Sequence, residues 1–206
     1  MSFPDRRFGS MAEYFDAYAD QLARAAASVS RDALAAAERL LSDALARDAQ
    51  VYSCGNGGSA AISNHLVCDH ANGLSRDTGL RPRVHSLSAT IELMTAIAND
   101  VSYGEVFAYQ LKLFARPGDV LVTISSSGDS DNVVRAVEWA RDNRVATIAL
   151  TGFSGGRTAK LADVAVHVDA DNYGVVEDVH QSIMHALAQH IRMVRMPDAL
   201  IAERKF

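Results

Sequence analysis

Cysteine is scarce in this chain, with two residues, Cys54 and Cys68, among 206. Both stand in apolar local sequence. Two such thiols make no disulfide framework, which points to a reducing, cytoplasmic compartment. Long apolar runs are also missing. None approaches the ~18 residues that a membrane span requires, so no membrane partner is expected. The opening MSFPDRRFGS has arginines but no apolar stretch behind them and does not read as a signal peptide. A basic excess is absent as well: 20 Lys and Arg face 25 Asp and Glu, a formal charge of −5, so overall charge gives no reason to expect nucleic acid. There is no low-complexity segment, no internal repeat and no linker long enough to split domains. Residues 1–206 therefore read as one domain, long enough to bury its own α/β core.

What is present is organised by period. From Ser10 to about Val29, apolar residues recur at helical spacing: Met11, Tyr14, Phe15, Tyr18, Leu22 and Ala25. Ser30 or Asp32 caps a second helix to about Asp48, with Leu34, Ala37, Leu40, Leu41 and Leu45 on one stripe. The pair at 10–48 has two readings, core packing and a helical subunit interface. Beyond it, strand and helix alternate. Strands are expected at 51–54, 84–88, 120–125, 145–151 and 164–168, each short and rich in Val, Ile or Leu. Helices are expected at 59–73, 90–98, 103–115, 130–143, 157–162 and 175–195. Such alternation predicts an α/β, three-layer, doubly wound sheet of five parallel strands, with ligand groups in the loops after the strands.

The stretch QVYSCGNGGSAAISNHLVCDH, residues 50–70, holds the first chemistry. A buried strand, a glycine turn and a helix follow one another, which sets free backbone N–H groups at a helix N-terminus, an anion site. His65 and Asp69, four apart, share a helix face. A loose dinucleotide fingerprint, Gly55-x-Gly57-x-x-Ala60, lacks its partner, because the second strand ends Leu87-Ser88-Ala89-Thr90 with no carboxylate to hold a ribose. No nucleotide cofactor is expected.

The third strand runs into Ser125-Ser126-Ser127-Gly128-Asp129-Ser130 and then a helix. Hydroxyls and amides converging on a helix start can hold a phosphate dianion without a lysine. The fourth strand ends in Thr151-Gly152-Phe153-Ser154-Gly155-Gly156, read as a plain turn. Asn99-Asp100, past the short helix after strand two, reads equally as a helix-ending turn or as a pair binding sugar hydroxyls.

The last helix carries Glu177, His180, His185 and His190. Glu177 and His185 are eight apart, about 80° around the helix and two turns along it, and can face one cavity. With His65 and Asp69 they make a two-His, two-carboxylate set suited to a divalent metal such as zinc. Glu177 with His180, the Glu-x-x-His spacing, is the rival pairing.

Taken together, CGNGGS with His-x-x-x-acid, AND, ISSSGDS and a late acid and His eight apart resemble the sugar isomerase (SIS) domain family, and within it the phosphoheptose isomerases, over about residues 10–195. The resemblance implies a flavodoxin-like fold with two extra N-terminal helices. It implies an aldose–ketose isomerase that interconverts sedoheptulose 7-phosphate and a heptose 7-phosphate through an enediol. Substrate would be bound by Asn56, Gly57, Gly58, Ser59, Asp69, Asn99, Asp100 and Glu177, and its phosphate by Ser125, Ser126, Ser127 and Ser130. Zinc would be held by His65, Asp69, Glu177 and His185. Asp69 would act as base and His185 as its acid/base partner. Family members are homotetramers with sites between subunits, which gives the N-terminal helices a use.

Two positions depart from the family. Asp69 stands where it has glutamate, one methylene longer, and Glu177 stands where it has glutamine. A non-catalytic scaffold that binds the bacterial replication initiator is the alternative, but it predicts a degraded acid and metal set, whereas acids and histidines stand at all four positions here.

Overall fold

Five short aliphatic runs pair side by side in the computed structural model, which describes residues 3–206. They are β1 (Gln50–Gly55), β2 (Arg83–Ser86), β3 (Val120–Ser125), β4 (Ala146–Thr151) and β5 (Val164–His167). All pairings are parallel, in the order β2-β1-β3-β4-β5. The register sets Val51 against both Val84 and Val120, and Val120 in turn against Ala146. All six residues of β3 are buried, as befits a central strand covered on both faces. Alternation along β3 divides the core. Val120, Val122 and Ile124 join one cluster and Leu121 the other.

The first cluster is covered by α1 (Met11–Ser28), α2 (Arg31–Ala46), α3 (Gly58–Cys68) and α8 (Tyr173–Met193), the second by α4 (Ile91–Asp100), α5 (Ala108–Phe114) and α6 (Asp131–Asp142). The three expected layers are therefore present. Ser10 caps α1 by accepting from Glu13 N at 3.1 Å, and Ser30, rather than Asp32, caps α2 through Ala33 N at 3.3 Å. The α2 stripe is core. Ala37, Leu41 and Leu45 are buried, and each such leucine contributes roughly 1.5–3 kcal/mol. Helix α1 keeps Met11 and Phe15 exposed.

Three stretches differ from the sequence expectation. The helix expected over 59–73 is α3 followed by a π-helical turn, Asp69–Leu74, whose wider winding turns His70 and Leu74 inward. The helix expected over 103–115 is a 3₁₀ turn, Tyr103–Glu105, then α5, because Val106 and Phe107 plunge fully into the core between them. Asn99 and Asp100 are the last residues of α4, not a turn beyond it. Short helices α7 (Gly156–Leu161) and α9 (Asp198–Ile201) complete the chain, the latter not anticipated. Both cysteines are free, but Cys68 is exposed, contrary to the apolar setting its neighbours suggest. Among the described residues no helix is long and apolar enough to cross a membrane.

The chain order doubles back at β1. Strand β2 lies on one side of it and β3 on the other. The loops leaving β1 and β3 therefore diverge from a crevice at the carboxyl ends of the strands, where open α/β sheets take their ligands.

Candidate active site

Helix α3 starts in that crevice and carries His65 in its last turn, with Asp69 at its C-cap. Helix α8 runs past it and brings His185 alongside. Asp69 uses one oxygen on each imidazole: Oδ1 lies 3.2 Å from His65 Nε2 and Oδ2 lies 2.5 Å from His185 Nδ1. The two rings are perpendicular, with centroids 5.0 Å apart. One ligand atom from each of the three residues lies within 4.8 Å of the others. The far nitrogen of His185 meets the Gln181 amide, Nε2 to Nε2 at 2.7 Å. The Gln181 contact fixes the plane of the His185 ring and keeps Nδ1 facing Asp69. Gln181 was not singled out from the sequence, although its place four residues before His185 is the signal that finds it.

Of the four residues expected to share a metal, Glu177 is not in the group whose ligand atoms lie within 4.8 Å of one another. Its carboxylate rests against Gly58, so close that a Cβ at that position would collide with it. The start of α3, with its partial positive charge, draws the acid there, about two turns of α8 away from His185. Partial burial raises the Glu177 pKa above the usual carboxylate range, and Asp178 adds to the effect. The rival pairing of Glu177 with His180 is not assembled either. His180 is fully buried in the core, and burial pushes its pKa down to about 4. His190 is 4.0 Å from Glu38, away from the cluster.

In the first loop the Asn56 amide exchanges hydrogen bonds with Asn132 of α6, 2.9 Å each way, and accepts from Tyr103 Oη at 2.9 Å. Asn132 and Tyr103 were not foreseen, because they reach Asn56 from elements far along the chain. Gly57 and Gly58 open α3, and Ser59 is buried in its first turn. Asn99 donates to Asp100 at 2.8 Å, both exposed at the end of α4. In the third-strand loop, Ser125 Oγ accepts from Gly128 N at 3.2 Å and Ser127 Oγ from Asp129 N at 3.3 Å. Among the described residues the buried Ser126 hydroxyl has no hydrogen-bond partner, and Ser130 opens α6 without a side-chain cap bond. These two hydroxyls keep hydrogen-bonding capacity in hand.

Two imidazoles and a carboxylate brought together from two helices suit proton transfer, and the serine-lined start of α6 suits a phosphate. Residues 13–152 match the SIS domain family. A phosphoheptose isomerase of Bordetella avium is 39% identical over 168 residues, 80% of this chain and 85% of the relative. The chain belongs to the SIS-domain phosphoheptose isomerase family. It is accordingly an aldose–ketose isomerase. The solved phosphoheptose isomerase of Neisseria gonorrhoeae superposes with a TM-score of 0.80 at 32% identity, over 88% of this chain and 98% of that one. That of Francisella tularensis gives 0.81 at 29%, over 89% and 96%. The scaffold alternative finds no support in these relatives.

The zinc expected of the family fits the donor set. Two imidazoles and one carboxylate, with a position left open, are the ligands of many catalytic zinc sites. His65, Asp69 and His185 are the residues placed to hold it.

Proposed function

We propose that this isomerase interconverts sedoheptulose 7-phosphate and D-glycero-D-manno-heptose 7-phosphate through an enediol. The observation that carries the mechanism is the 2.5 Å contact between Asp69 and His185, an acid and an imidazole from separate helices. Asp69 takes the proton from the carbon beside the carbonyl. The C–H electron pair becomes the enediol double bond, and the carbonyl oxygen gains a proton from His185. Reversal at the neighbouring carbon completes the exchange of carbonyl and hydroxyl, with no net gain or loss of atoms or electrons. His65, Asp69 and His185 would hold a zinc ion, which would supply Lewis-acid stabilisation of the developing negative oxygen. Gln181 holds the His185 ring in place.

The serine loop Ser125–Ser130 is the phosphate anchor. The unpartnered Ser126 hydroxyl and the uncapped start of α6 support this reading. In this reading Asn56, Gly57, Gly58, Ser59, Asn99, Asp100 and Glu177 bind the rest of the substrate. Phosphate binding remote from the reaction supplies orientation.

The assembly we propose is a homotetramer with sites between subunits, in which the helical pair 10–48 takes part. Met11 at 70% and Phe15 at 60% exposure leave apolar surface for such a contact. Free thiols fit the cytoplasm. The test is conversion of sedoheptulose 7-phosphate by purified protein, beside shorter ketose phosphates. Turnover of a shorter ketose alone would replace the substrate assignment.

A further inference from the structure

The loop Thr151–Gly156, a plain turn by sequence, braces the serine loop. Gly152 N donates to Ser126 O at 2.9 Å. The Gly128 carbonyl accepts both Thr158 N, at 2.9 Å, and Thr158 Oγ1, at 3.0 Å. Contact between the two loops is so close that a Cβ on Gly128 would collide with the Gly155 carbonyl. The brace thus holds two carbonyls of the serine loop, those of Ser126 and Gly128, and fixes its path.

Arg157 opens α7 from this brace and reaches across. Its Nε donates to Asp129 Oδ1 at 2.5 Å, its Nη2 to the Asp129 carbonyl at 2.9 Å, and its Nη1 lies 3.6 Å from Asp131 Oδ1. Asp131 is shared with Arg135, at 2.9 Å. Hydrogen bonding from Arg157 holds the Asp129 carboxyl below its usual range, and Arg135 first, then Arg157, does the same for Asp131. Both acids are therefore charged, and they flank Ser130 at the start of α6. Arg157 is half exposed, so its ion pair adds little to stability. Its weight falls on the charge and shape of the loop. Without Arg157, Asp129 would stand uncompensated beside Ser130, and a bare carboxylate there would repel a dianion. A planar fork that grips side chain and backbone of one residue also freezes the loop, which a lysine point charge does less well.

We propose that Arg157 is a positioning residue for the phosphate of the substrate: it neutralises Asp129 beside Ser130, adds to the hold of Arg135 on Asp131, and locks the serine loop in its receiving shape. This rests on the reading of Ser125–Ser130 as the phosphate site. No contact between Arg157 and substrate is required.

Steady-state kinetics with sedoheptulose 7-phosphate, and inhibition by inorganic phosphate, test it in four proteins: wild type, Arg157→Gln, Asp129→Asn and the double variant. Arg157→Gln is expected to raise KM and the phosphate inhibition constant about tenfold with little change in kcat. Asp129→Asn on that background is expected to restore most of the loss, a rescue that a merely structural role would not produce. Unchanged constants in Arg157→Gln, or a double variant as poor as the single, overturn the proposal. Should Arg157→Gln not fold, Asp131→Asn in the otherwise intact protein is expected to lower KM, and an unchanged or higher KM overturns it. The phosphate reading itself fails separately: wild-type protein would then ignore inorganic phosphate and show equal KM for sedoheptulose and its 7-phosphate.

Discussion

Asp69 Oδ2 and His185 Nδ1 stand 2.5 Å apart although 116 positions separate the two residues. The contact joins the end of α3 to the middle of α8, and it exists because both helices pack on the same face of the sheet. A general base and its partner must be held in such reach before proton transfer can be fast.

The Gln181 amide meets His185 on its far side. Gln181→Ala is expected to lower kcat about tenfold to a hundredfold, as loss of a residue that orients an acting imidazole does. KM should stay near wild type. An unchanged circular dichroism spectrum beside the lowered kcat separates this role from simple damage.

Metal content distinguishes three ligands from four. His65→Ala and His185→Ala are expected to lose bound zinc after dialysis, while circular dichroism stays unchanged. Glu177→Gln is expected to retain it, because Glu177 sits against Gly58 and not with the imidazoles. Elemental analysis of the purified variants gives the answer, and loss of zinc from Glu177→Gln would restore the fourth ligand.

His180 makes stability depend on pH. Burial carries its pKa from an ordinary 6.5 to about 4. Between those values the unfolded chain binds the proton and the folded chain does not. The stabilisation is thus complete above pH 6.5 and is lost as pH falls through the window to 4, about 3 kcal/mol in all. Denaturant unfolding from pH 7.5 to 4 checks this. His180→Gln is expected to be less stable at neutral pH but to lose less on acidification.

Much of the fold was legible because parallel strands buried on both faces read as aliphatic runs, as β3 and β4 do. The pairing of His65 with Asp69 was legible because one helix turn separates them. Glu177 stands apart from the imidazoles for a physical reason. Helical spacing says which face a residue shares, not what that face meets, and the partner of Glu177 is set by how α3 packs beside α8. Asp69 lies at the junction of an α-helix and a π-helical turn, which no periodicity announced. Arg157 was invisible because its partners sit on a loop from another strand, 28 positions away.

The most direct measurement is solvent deuterium incorporation into sedoheptulose 7-phosphate, read by NMR at the carbon beside the carbonyl. Wild-type protein is expected to exchange that hydrogen at a rate commensurate with turnover. Asp69→Asn is expected to slow exchange by about a hundredfold or more while keeping its oligomeric state. Exchange by Asp69→Asn at the wild-type rate would contradict the assignment of Asp69 as base.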